Sequence, residues 1–413
     1  MKLSGIETHE HLQAIKKGMV MNMNNKNWVS VWGNAVSIAE HHPEAYAKYI
    51  TLRYPVYIPF DGDTLRFTFD NYCGSEAVTV TRATVSAATS TVYEKMPLAC
   101  PCKKETICDI TFSKNESVTM EAHQTAVSDP VSFPVKKGMT LTVSLYFADF
   151  TLMQSAVLVT GPLSKGFFSL GDQTHADALP MDTTKTTNWF YFLSNIELMT
   201  AEENHTVICY GDSITAGAWP DYLTLLARQN PDNHTAFIRR ATSGSRVLRQ
   251  YECITYDSYG LKGTNRFPHE IPTTGADTVI IQQGINDIIH PVGIETNPFR
   301  PMSDLPTAKE LIDGYRYYIE EAKKSHLKVY MGTLLPIFGW RTYATFRDDL
   351  RNELNAWIRS AKEIDGCIDF DLALRGSENP SAFREGFDSG DHLHPSSKAY
   401  QAMAECAYEV LQR

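Results

Sequence analysis

The sequence predicts an α/β fold in which a parallel sheet carries helices on both faces, preceded by an antiparallel β-sandwich of jelly-roll type. Three observations predict this. The chain has 413 residues, more than one ordinary core accommodates. Short alternating strands fill its first half, and strands alternate with helices in its second half. We therefore expect a β-sandwich domain over residues 1–200 and a second domain over 201–413.

The first half of the chain shows a hydrophobic period of two. Two runs alternate apolar with polar residues, namely Leu65, Phe67 and Phe69, then Leu141, Val143, Leu145 and Phe147. Such alternation predicts strands with one face on a core and the other toward solvent. Turn residues at 61–63 and 137–138 precede the two runs, and no helical pattern occurs between residues 54 and 150. An antiparallel sandwich is the architecture that fits.

From about residue 206 the pattern changes to alternating strands and helices. The strand candidates are four short apolar runs, Thr206–Tyr210, Thr278–Gln282, Lys328–Thr333 and Ile368–Asp371. Apolar residues at helical spacing follow them, namely Leu311, Tyr315, Ile319 and Ala322, then Phe346, Leu350, Leu354 and Trp357, and finally Ala399, Met403, Ala407 and Leu411. This alternation predicts a parallel sheet covered on both faces, with residues 171–195 as the boundary region.

Composition excludes several partners. The chain has 38 basic and 48 acidic residues, a net charge of −10 without segregation of sign, which disfavours nucleic acid and anionic membrane surfaces. Its apolar runs are too short to span a bilayer. Acidic and histidine residues interrupt residues 1–23, so we predict no export signal and a cytoplasmic location. The eight cysteines are mostly isolated, which favours a reduced setting over a disulfide framework.

Ser213 follows the first strand of the second half, at a turn into a helix expected from about Pro220. In an open parallel sheet, ligands bind outside the carboxyl ends of the strands. A serine there can act as a nucleophile whose tetrahedral intermediate is stabilised by backbone donors. The alternative interpretation is an ordinary helix N-cap, a common role for serine.

Two further turns offer oxyanion donors. Asn286 follows the strand that ends at Gln282, where its amide can donate to a developing negative charge, although asparagine is also common in turns. Gly244 lies in a turn of small residues whose backbone can approach a ligand closely. We expect Asp212 and Asp287 to hold these loops through backbone hydrogen bonds, and Cys209 to pack in the core. Trp219 is expected at the pocket mouth or as an exposed capping aromatic.

Asp391 and His394 lie three residues apart near the C-terminus. At that spacing the carboxylate can fix the tautomer of the imidazole, whose other nitrogen then faces the nucleophile. Two alternatives remain, a pair of ordinary loop histidines or a metal site formed by Asp391, His392 and His394. The cluster Cys100, Cys102 and Cys108 lacks the Cys-x-x-Cys pairs typical of structural zinc, so we predict no metal there.

The motifs resemble those of the SGNH hydrolases, also called GDSL-type esterases and lipases. Residues 211–213 resemble the first block of the family, Gly244 the glycine block, residues 284–287 the third block and residues 391–394 the fifth. The first half resembles the N-terminal β-domain of two-domain bacterial members. The resemblance implies a flavodoxin-like sheet, Ser213 as nucleophile, His394 and Asp391 as base and orienting acid, and Ser213, Gly244 and Asn286 as oxyanion donors.

The resemblance therefore implies a serine ester hydrolase without metal or organic cofactor, acting on short-chain esters such as O-acetyl groups of a carbohydrate. One alternative is a lipase, lysophospholipase or thioesterase for longer acyl chains, although no long apolar lid segment is present. A second is a carbohydrate-binding protein with an inactive hydrolase domain. All five site positions carry competent residues, which argues against that second alternative.

Overall fold

The computed structural model describes residues 26–39, 46–93 and 96–412. The segment 1–23, on which the expectation about an export signal depends, lies outside this range. Within it, no helix combines the length and the apolar character that crossing a membrane requires.

The antiparallel part contains eighteen strands in the described residues. They are β1 (Lys26–Gly33), β2 (Ser37–Ile38), β3 (Tyr46–Ala47), β4 (Ile50–Tyr57), β5 (Gly62–Asp70), β6 (Val78–Val80), β7 (Arg82–Ala87), β8 (Cys108–Ile110), β9 (Val118–Met120), β10 (Thr125–Val127), β11 (Val131–Val135), β12 (Thr140–Phe147), β13 (Thr151–Leu152), β14 (Ser155–Leu158), β15 (Gly166–Leu170), β16 (Lys185–Thr187), β17 (Trp189–Tyr191) and β18 (Leu193–Ala201). In the described residues of this part, helical structure is limited to one short 3₁₀ turn, Lys104–Thr106.

Two large antiparallel sheets form a sandwich around a common core. One has the order β1-β18-β5-β10, with β11 also pairing with β5, and the other has the order β16-β15-β4-β12-β7-β8. The apolar residues of β5, such as Phe67, and of β12, such as Val143, belong to the same buried cluster. The predicted antiparallel sandwich is confirmed.

One expectation about this sandwich is wrong. Strand β12 was expected to present its polar residues to solvent, but every residue of the strand is buried. The polar face is covered because Arg53 crosses it, donating to Ser144 Oγ at 2.9 Å and to the backbone oxygens of Gln173 and Ala176 at 2.7 and 2.8 Å. A buried guanidinium with satisfied donors thus attaches a long loop to the outside of the sheet.

The second half contains a five-stranded parallel sheet. Its strands are β19 (His205–Gly211), β20 (Thr235–Ala241), β21 (Ala276–Gln282), β22 (Lys328–Gly332) and β23 (Gly366–Ile368). Their spatial order is β20-β19-β21-β22-β23, which is the flavodoxin-like order 2-1-3-4-5. The central strand β21 is buried on both faces, as a sheet between two helical layers requires. The predicted parallel sheet is confirmed.

Eight helices accompany this sheet in the described residues. They are α1 (Ser213–Ala216), α2 (Trp219–Arg228), α3 (Gly263–Glu270), α4 (Ile285–Ile289), α5 (Ala308–Lys324), α6 (Thr345–Ser360), α7 (Phe370–Leu374) and α8 (Ser397–Leu411). The three helices predicted from apolar spacing correspond to α5, α6 and α8. Helix α5 begins with a capping box formed by Thr307 and Glu310.

Two details of the parallel sheet differ from expectation. The last strand ends at Ile368, earlier than predicted, because the Asp369 carboxylate accepts the backbone N–H of Leu372 and caps helix α7 at that point. The edge strand β20 was not among the predicted strands. Its two arginines, Arg239 and Arg240, make its sequence look too polar for a buried strand, although both are buried.

Those two arginines join the antiparallel part to the parallel part. Arg240 donates to the backbone oxygens of Asn34 and Ser194 at 2.6 and 2.9 Å. Arg239 pairs with Asp221 at 2.7 Å, and Asp221 also accepts the hydroxyl of Ser164 at 2.9 Å. Buried charges are stable only when paired and hydrogen-bonded, so this arrangement fixes one specific fit between the two parts.

We predict that Arg239→Met lowers the free energy of unfolding by about 3–5 kcal/mol, because the substitution leaves the Asp221 carboxylate buried without its cation. Urea denaturation followed by circular dichroism measures the change. Lys309→Met is the matched control, since Lys309 forms an ion pair with Asp313 on the exposed surface and its loss should change stability little. Equal effects of the two substitutions would contradict a structural role for the buried pair.

Candidate active site

Ser213 is the first residue of helix α1 and directly follows the turn after strand β19. The cap of this helix is Asp212, whose carboxylate accepts the backbone N–H of Ile214 at 3.1 Å. The alternative interpretation of Ser213 as a helix cap is therefore wrong. Its hydroxyl is available for another partner, and its side chain is half-buried at the carboxyl edge of the sheet.

A chain of hydrogen bonds links three of the predicted residues. The Oγ atom of Ser213 lies 2.9 Å from Nε2 of His394, and Nδ1 of His394 lies 2.6 Å from Oδ2 of Asp391. The two elements that carry these residues are 181 positions apart in the sequence. One imidazole thus connects a hydroxyl to a carboxylate, an arrangement able to withdraw the hydroxyl proton.

The Asp391 carboxylate is held in its ionised form. Burial alone would raise the pKa of this group, but hydrogen bonds from the His394 ring and from the backbone N–H groups of His394 and Leu393 lower that pKa to about 2. Oδ1 accepts the two N–H groups at 2.8 and 3.0 Å, which fixes the carboxylate in place. A negative charge therefore lies against Nδ1 of the imidazole throughout the neutral pH range.

His392 faces away from this chain of hydrogen bonds. Its Nδ1 lies 2.5 Å from Oδ2 of Asp388, a different carboxylate from the one bound to His394. Among the residues that the structure describes, no three His, Cys, Asp or Glu side chains are grouped as a metal ion would require. The metal alternative for Asp391, His392 and His394 therefore has no geometric support in the described residues, and the same holds for Cys100, Cys102 and Cys108.

Gly244 and Asn286 lie in turns that follow the two strands beside β19. Gly211, at the end of β19, pairs with Ala241 on one side and with Gln282 on the other, so all three turns leave the same edge of the sheet. The side-chain Nδ2 of Asn286 donates to the backbone oxygen of Ser245 at 3.1 Å. This bond ties Asn286, buried on the first turn of α4, to the turn that contains Gly244.

Only a glycine fits at position 244. Its φ of +77° is in the left-handed region, which side chains other than glycine rarely adopt. A Cβ atom there would also lie 2.3 Å from a ring carbon of Tyr259. The ring packs directly against the backbone of the turn, which keeps that backbone in one conformation.

Buried polar side chains hold these turns, as expected for Asp212 and Asp287. Asp287 accepts the backbone N–H groups of Val247 and Leu248 at 2.8 and 3.1 Å. Burial raises the pKa of Asp212 to about 7 and that of Asp287 to about 6, since the charged form loses its hydration. The predicted role of both aspartates is confirmed.

Gln283 and its two tyrosine partners, Tyr315 and Tyr318, were not among the predicted site residues. The side chain of Gln283 donates to Ser245 Oγ at 2.8 Å and accepts the hydroxyl of Tyr318 at 2.7 Å, while its backbone oxygen accepts the hydroxyl of Tyr315 at 2.8 Å. The sequence feature that could have indicated them is a pair of glutamines, Gln282 and Gln283, at the end of an apolar strand. A polar pair there is unusual unless partners from other elements satisfy it.

Two expectations for single residues have clear outcomes. Cys209 is completely buried in the apolar cluster of the parallel sheet, which confirms it as a core residue. Trp219 is equally buried, packs at a tilt against Phe370 with 5.5 Å between ring centroids, and donates its indole N–H to Thr215 Oγ1 at 3.4 Å. The expectation that Trp219 lines the pocket mouth or caps it from outside is wrong, because helix α2 turns that face toward the core.

About half of the chain is similar to several solved structures. A GDSL-like lipase from Bacteroides thetaiotaomicron is 20% identical, with a TM-score of 0.38 over 51% of this chain and 89% of its own. A putative acylhydrolase from Bacteroides fragilis is 20% identical, with a TM-score of 0.37 over 50% and 86%. A catalytic mutant of an acetylxylan esterase from Geobacillus stearothermophilus is 15% identical, with a TM-score of 0.36 over 50% and 93%.

A comparison with curated proteins gives no match. The sequence profile of the GDSL-like lipase/acylhydrolase family matches residues 209–402. That range contains the whole parallel sheet except the start of its first strand, together with Ser213, Gly244, Asn286 and His394. Residues 209–402 therefore carry the sequence profile of the GDSL-like lipase/acylhydrolase family.

Proposed function

We propose that the protein is a serine ester hydrolase that cleaves short-chain esters through an acyl-enzyme. The single observation that carries this proposal is the hydrogen-bonded chain from Ser213 through His394 to Asp391, with contacts of 2.9 and 2.6 Å. Nucleophile, base and orienting acid are the three groups that such a reaction needs. The match of residues 209–402 to the GDSL-like lipase/acylhydrolase family supports hydrolysis of an acyl bond as the general reaction.

In the first half of the reaction, Nε2 of His394 accepts the proton of the Ser213 hydroxyl as its oxygen attacks the ester carbonyl. The resulting imidazolium is stabilised by the ionised Asp391, which stays charged because its pKa is about 2. The imidazolium then donates its proton to the leaving alcohol. Water attacks the acyl-enzyme by the same steps, with His394 again as base, and releases the acid. No metal or organic cofactor takes part.

The oxyanion would be stabilised by the backbone N–H groups of Ser213 and Gly244 and by the amide of Asn286. An asparagine amide carries two hydrogens, and one of those of Asn286 is used on the backbone oxygen of Ser245. That bond orients the second hydrogen before the substrate arrives. A donor that needs no reorganisation during the reaction stabilises developing charge most strongly.

We further propose that residues 1–200 form a domain that supports the catalytic domain over residues 201–413. Antiparallel pairing ends with β18 at Ala201, and parallel pairing begins with β19 at His205. Close to the nucleophile, the backbone N–H of Thr160 donates to the backbone oxygen of Ala216 at 3.0 Å. The first domain thus contacts the helix that begins with Ser213.

The proposed substrate is an O-acetyl group on a carbohydrate. Beside Gly244 lies a group of three aromatic residues that we call the tyrosine cluster, formed by Tyr251, Tyr256 and Tyr259, with ring centroids 4.8–5.7 Å apart. Tyrosine combines an apolar face with a polar hydroxyl, a combination suited to a sugar, which has both apolar C–H faces and hydroxyls. A lipase, lysophospholipase or thioesterase on longer acyl chains is the alternative.

We expect a fluorophosphonate probe to label the protein at one site, and Ser213→Ala to abolish both this labelling and the cleavage of p-nitrophenyl acetate. Mass spectrometry of the labelled peptide identifies the serine. His394→Ala should remove most activity, and adding it to Ser213→Ala should cost little more, because residues of one catalytic unit are not additive. Labelling that survives Ser213→Ala would contradict the assignment, and a wild-type protein that neither reacts nor hydrolyses would favour an inactive binding protein.

A chain-length series distinguishes the proposed substrate class from the alternative. The wild-type protein should cleave p-nitrophenyl acetate with a higher kcat/KM than p-nitrophenyl octanoate or palmitate, and should release acetate from acetylated oligosaccharides. The physical reason is that a short acyl group needs no extended apolar groove. A kcat/KM that rises with acyl length would favour the lipase or thioesterase alternative.

We predict that Asn286→Ala lowers kcat by about 10²–10³-fold while KM changes little, because removal of one oxyanion donor weakens only the transition state. Asn286→Asp should be at least as harmful, since it places a carboxylate where a donor is needed. Circular dichroism verifies that both variants are folded. A higher KM at constant kcat would instead identify Asn286 as a substrate-binding residue.

A further inference from the structure

Arg300 lies in the segment between helices α4 and α5 and is a buried cation without an anionic partner among the described residues. Its side chain is almost completely enclosed, with the residue 8% exposed. Within the described residues it forms no ion pair, and its Nε has no hydrogen-bond acceptor. An arginine presents five N–H donors, and a buried cation is costly unless it is paired. The described structure therefore contains a strong anion-binding group that it does not use itself.

The tyrosine cluster holds this guanidinium in place. The Arg300 Cζ atom lies 4.3 Å from the ring centroid of Tyr256, 5.7 Å from that of Tyr251 and 6.0 Å from that of Tyr259. Cation–π attraction to aromatic faces orients a guanidinium without neutralising its charge. The donors in the plane of the group stay free for a ligand.

The neighbouring charges do not neutralise Arg300. His290 lies beside the tyrosine cluster, where burial and then the charges of Arg300 and Arg246 hold its pKa well below the usual range, so its ring is neutral. Arg246 is itself paired with Asp304 at 3.2 Å. Arg300 is therefore a buried positive charge without an ion-pair partner in this part of the described structure.

This charge is close to the proposed oxyanion hole. The Tyr259 ring, which lies under Arg300, packs against the backbone of Gly244. His290 directly follows helix α4, which carries Asn286, and accepts or donates a hydrogen bond with the Tyr251 hydroxyl at 3.2 Å. A single aromatic ring thus separates the free guanidinium from one of the proposed oxyanion donors.

We propose that Arg300 is a specificity-determining residue that binds a carboxylate on the alcohol part of the substrate, so that the preferred substrate is an O-acetylated acidic sugar. The proposal rests on the proposed esterase function. The planar guanidinium forms paired hydrogen bonds with a carboxylate, and the adjacent tyrosine faces suit a sugar ring. Arg300 does not touch the reacting atoms, so it affects the choice of substrate and not the chemical step.

The test compares two acetylated sugars that differ in one group, a methyl O-acetyl-glucuronoside and the corresponding methyl O-acetyl-glucoside, with acetate release as the readout. For the wild-type protein, kcat/KM should be about 10- to 100-fold higher on the glucuronoside, as expected for charge-assisted hydrogen bonds. Arg300→Met should reduce that preference to near unity through a higher KM, while the glucoside and p-nitrophenyl acetate are cleaved as before. Arg300→Lys keeps the positive charge but lacks the planar N–H donors of the guanidinium, so its preference for the glucuronoside should be intermediate.

The control variant is Arg316→Met, because Arg316 also lies over an aromatic ring, Trp357, but is exposed and ion-paired with Glu363. The Arg316→Met protein should cleave both sugars with the same kcat/KM as the wild-type protein. Binding of the glucuronoside to the inactive Ser213→Ala protein, measured by calorimetry, gives a readout that is independent of turnover and should be lost when Arg300→Met is added.

Three results would overturn the inference. They are an equal kcat/KM on the two sugars in the wild-type protein, an equal loss on both sugars in Arg300→Met, or a greater, Arg300-dependent kcat/KM on the acetylated glucoside 6-phosphate than on the glucuronoside. If the esterase proposal itself is wrong, the wild-type protein should react neither with p-nitrophenyl acetate nor with the fluorophosphonate. That outcome differs from all three results above.

Discussion

The site depends first on the order of the parallel strands. Because β19 lies between β20 and β21, the turns that follow these three strands leave adjacent positions at one edge of the sheet. Ser213, Gly244 and Asn286 come together for this reason alone, although they are spread over 74 residues. Ligands bind at such a reversal of strand order in open α/β sheets, because the connections diverge there and leave a crevice.

Hydrogen bonds between buried polar groups then set the positions of these turns. Asp287 accepts two backbone N–H groups of the segment after Gly244, and Gln283 joins the same segment to helix α5 through Tyr318. Burial raises the pKa of Asp287 to about 6, which indicates how much hydration this carboxylate loses. Such groups stabilise one geometry strongly, since any other geometry would leave a buried polar atom unsatisfied. A preorganised oxyanion hole needs that kind of rigidity.

The antiparallel sandwich contributes to the same rigidity from outside the sheet. Ala216, Ala236 and Ala241 of the second half belong to the buried cluster of the sandwich, so the two halves share apolar packing. The paired charges of Arg239 and Asp221, and the hydrogen bonds of Arg240, add orientation to that contact. Sliding of one half over the other would break the hydrogen bonds that Asp221 and Arg239 form with Ser164 of the first half, and buried charges are costly when their hydrogen bonds are lost. The helix that begins with Ser213 is therefore supported by both halves.

Local sequence determined much of this protein. The periods of two and of 3.6 residues predicted the sandwich and the parallel sheet, because they follow from the geometry of one strand or one helix. The motifs around Ser213, Asn286 and His394 indicated the site through a resemblance, and chemistry at strand ends supported it.

Tertiary structure alone decided the rest. Strand β20 has two arginines whose hydrogen-bond partners include residues of the other half, Ser164 for Arg239 and Asn34 for Arg240. Trp219 is buried by the direction of its helix. Arg300 and the tyrosine cluster meet through packing of separate loops, which no local period encodes. Such features depend on contacts between residues distant in sequence, whereas a pattern along the chain reports only on its neighbours.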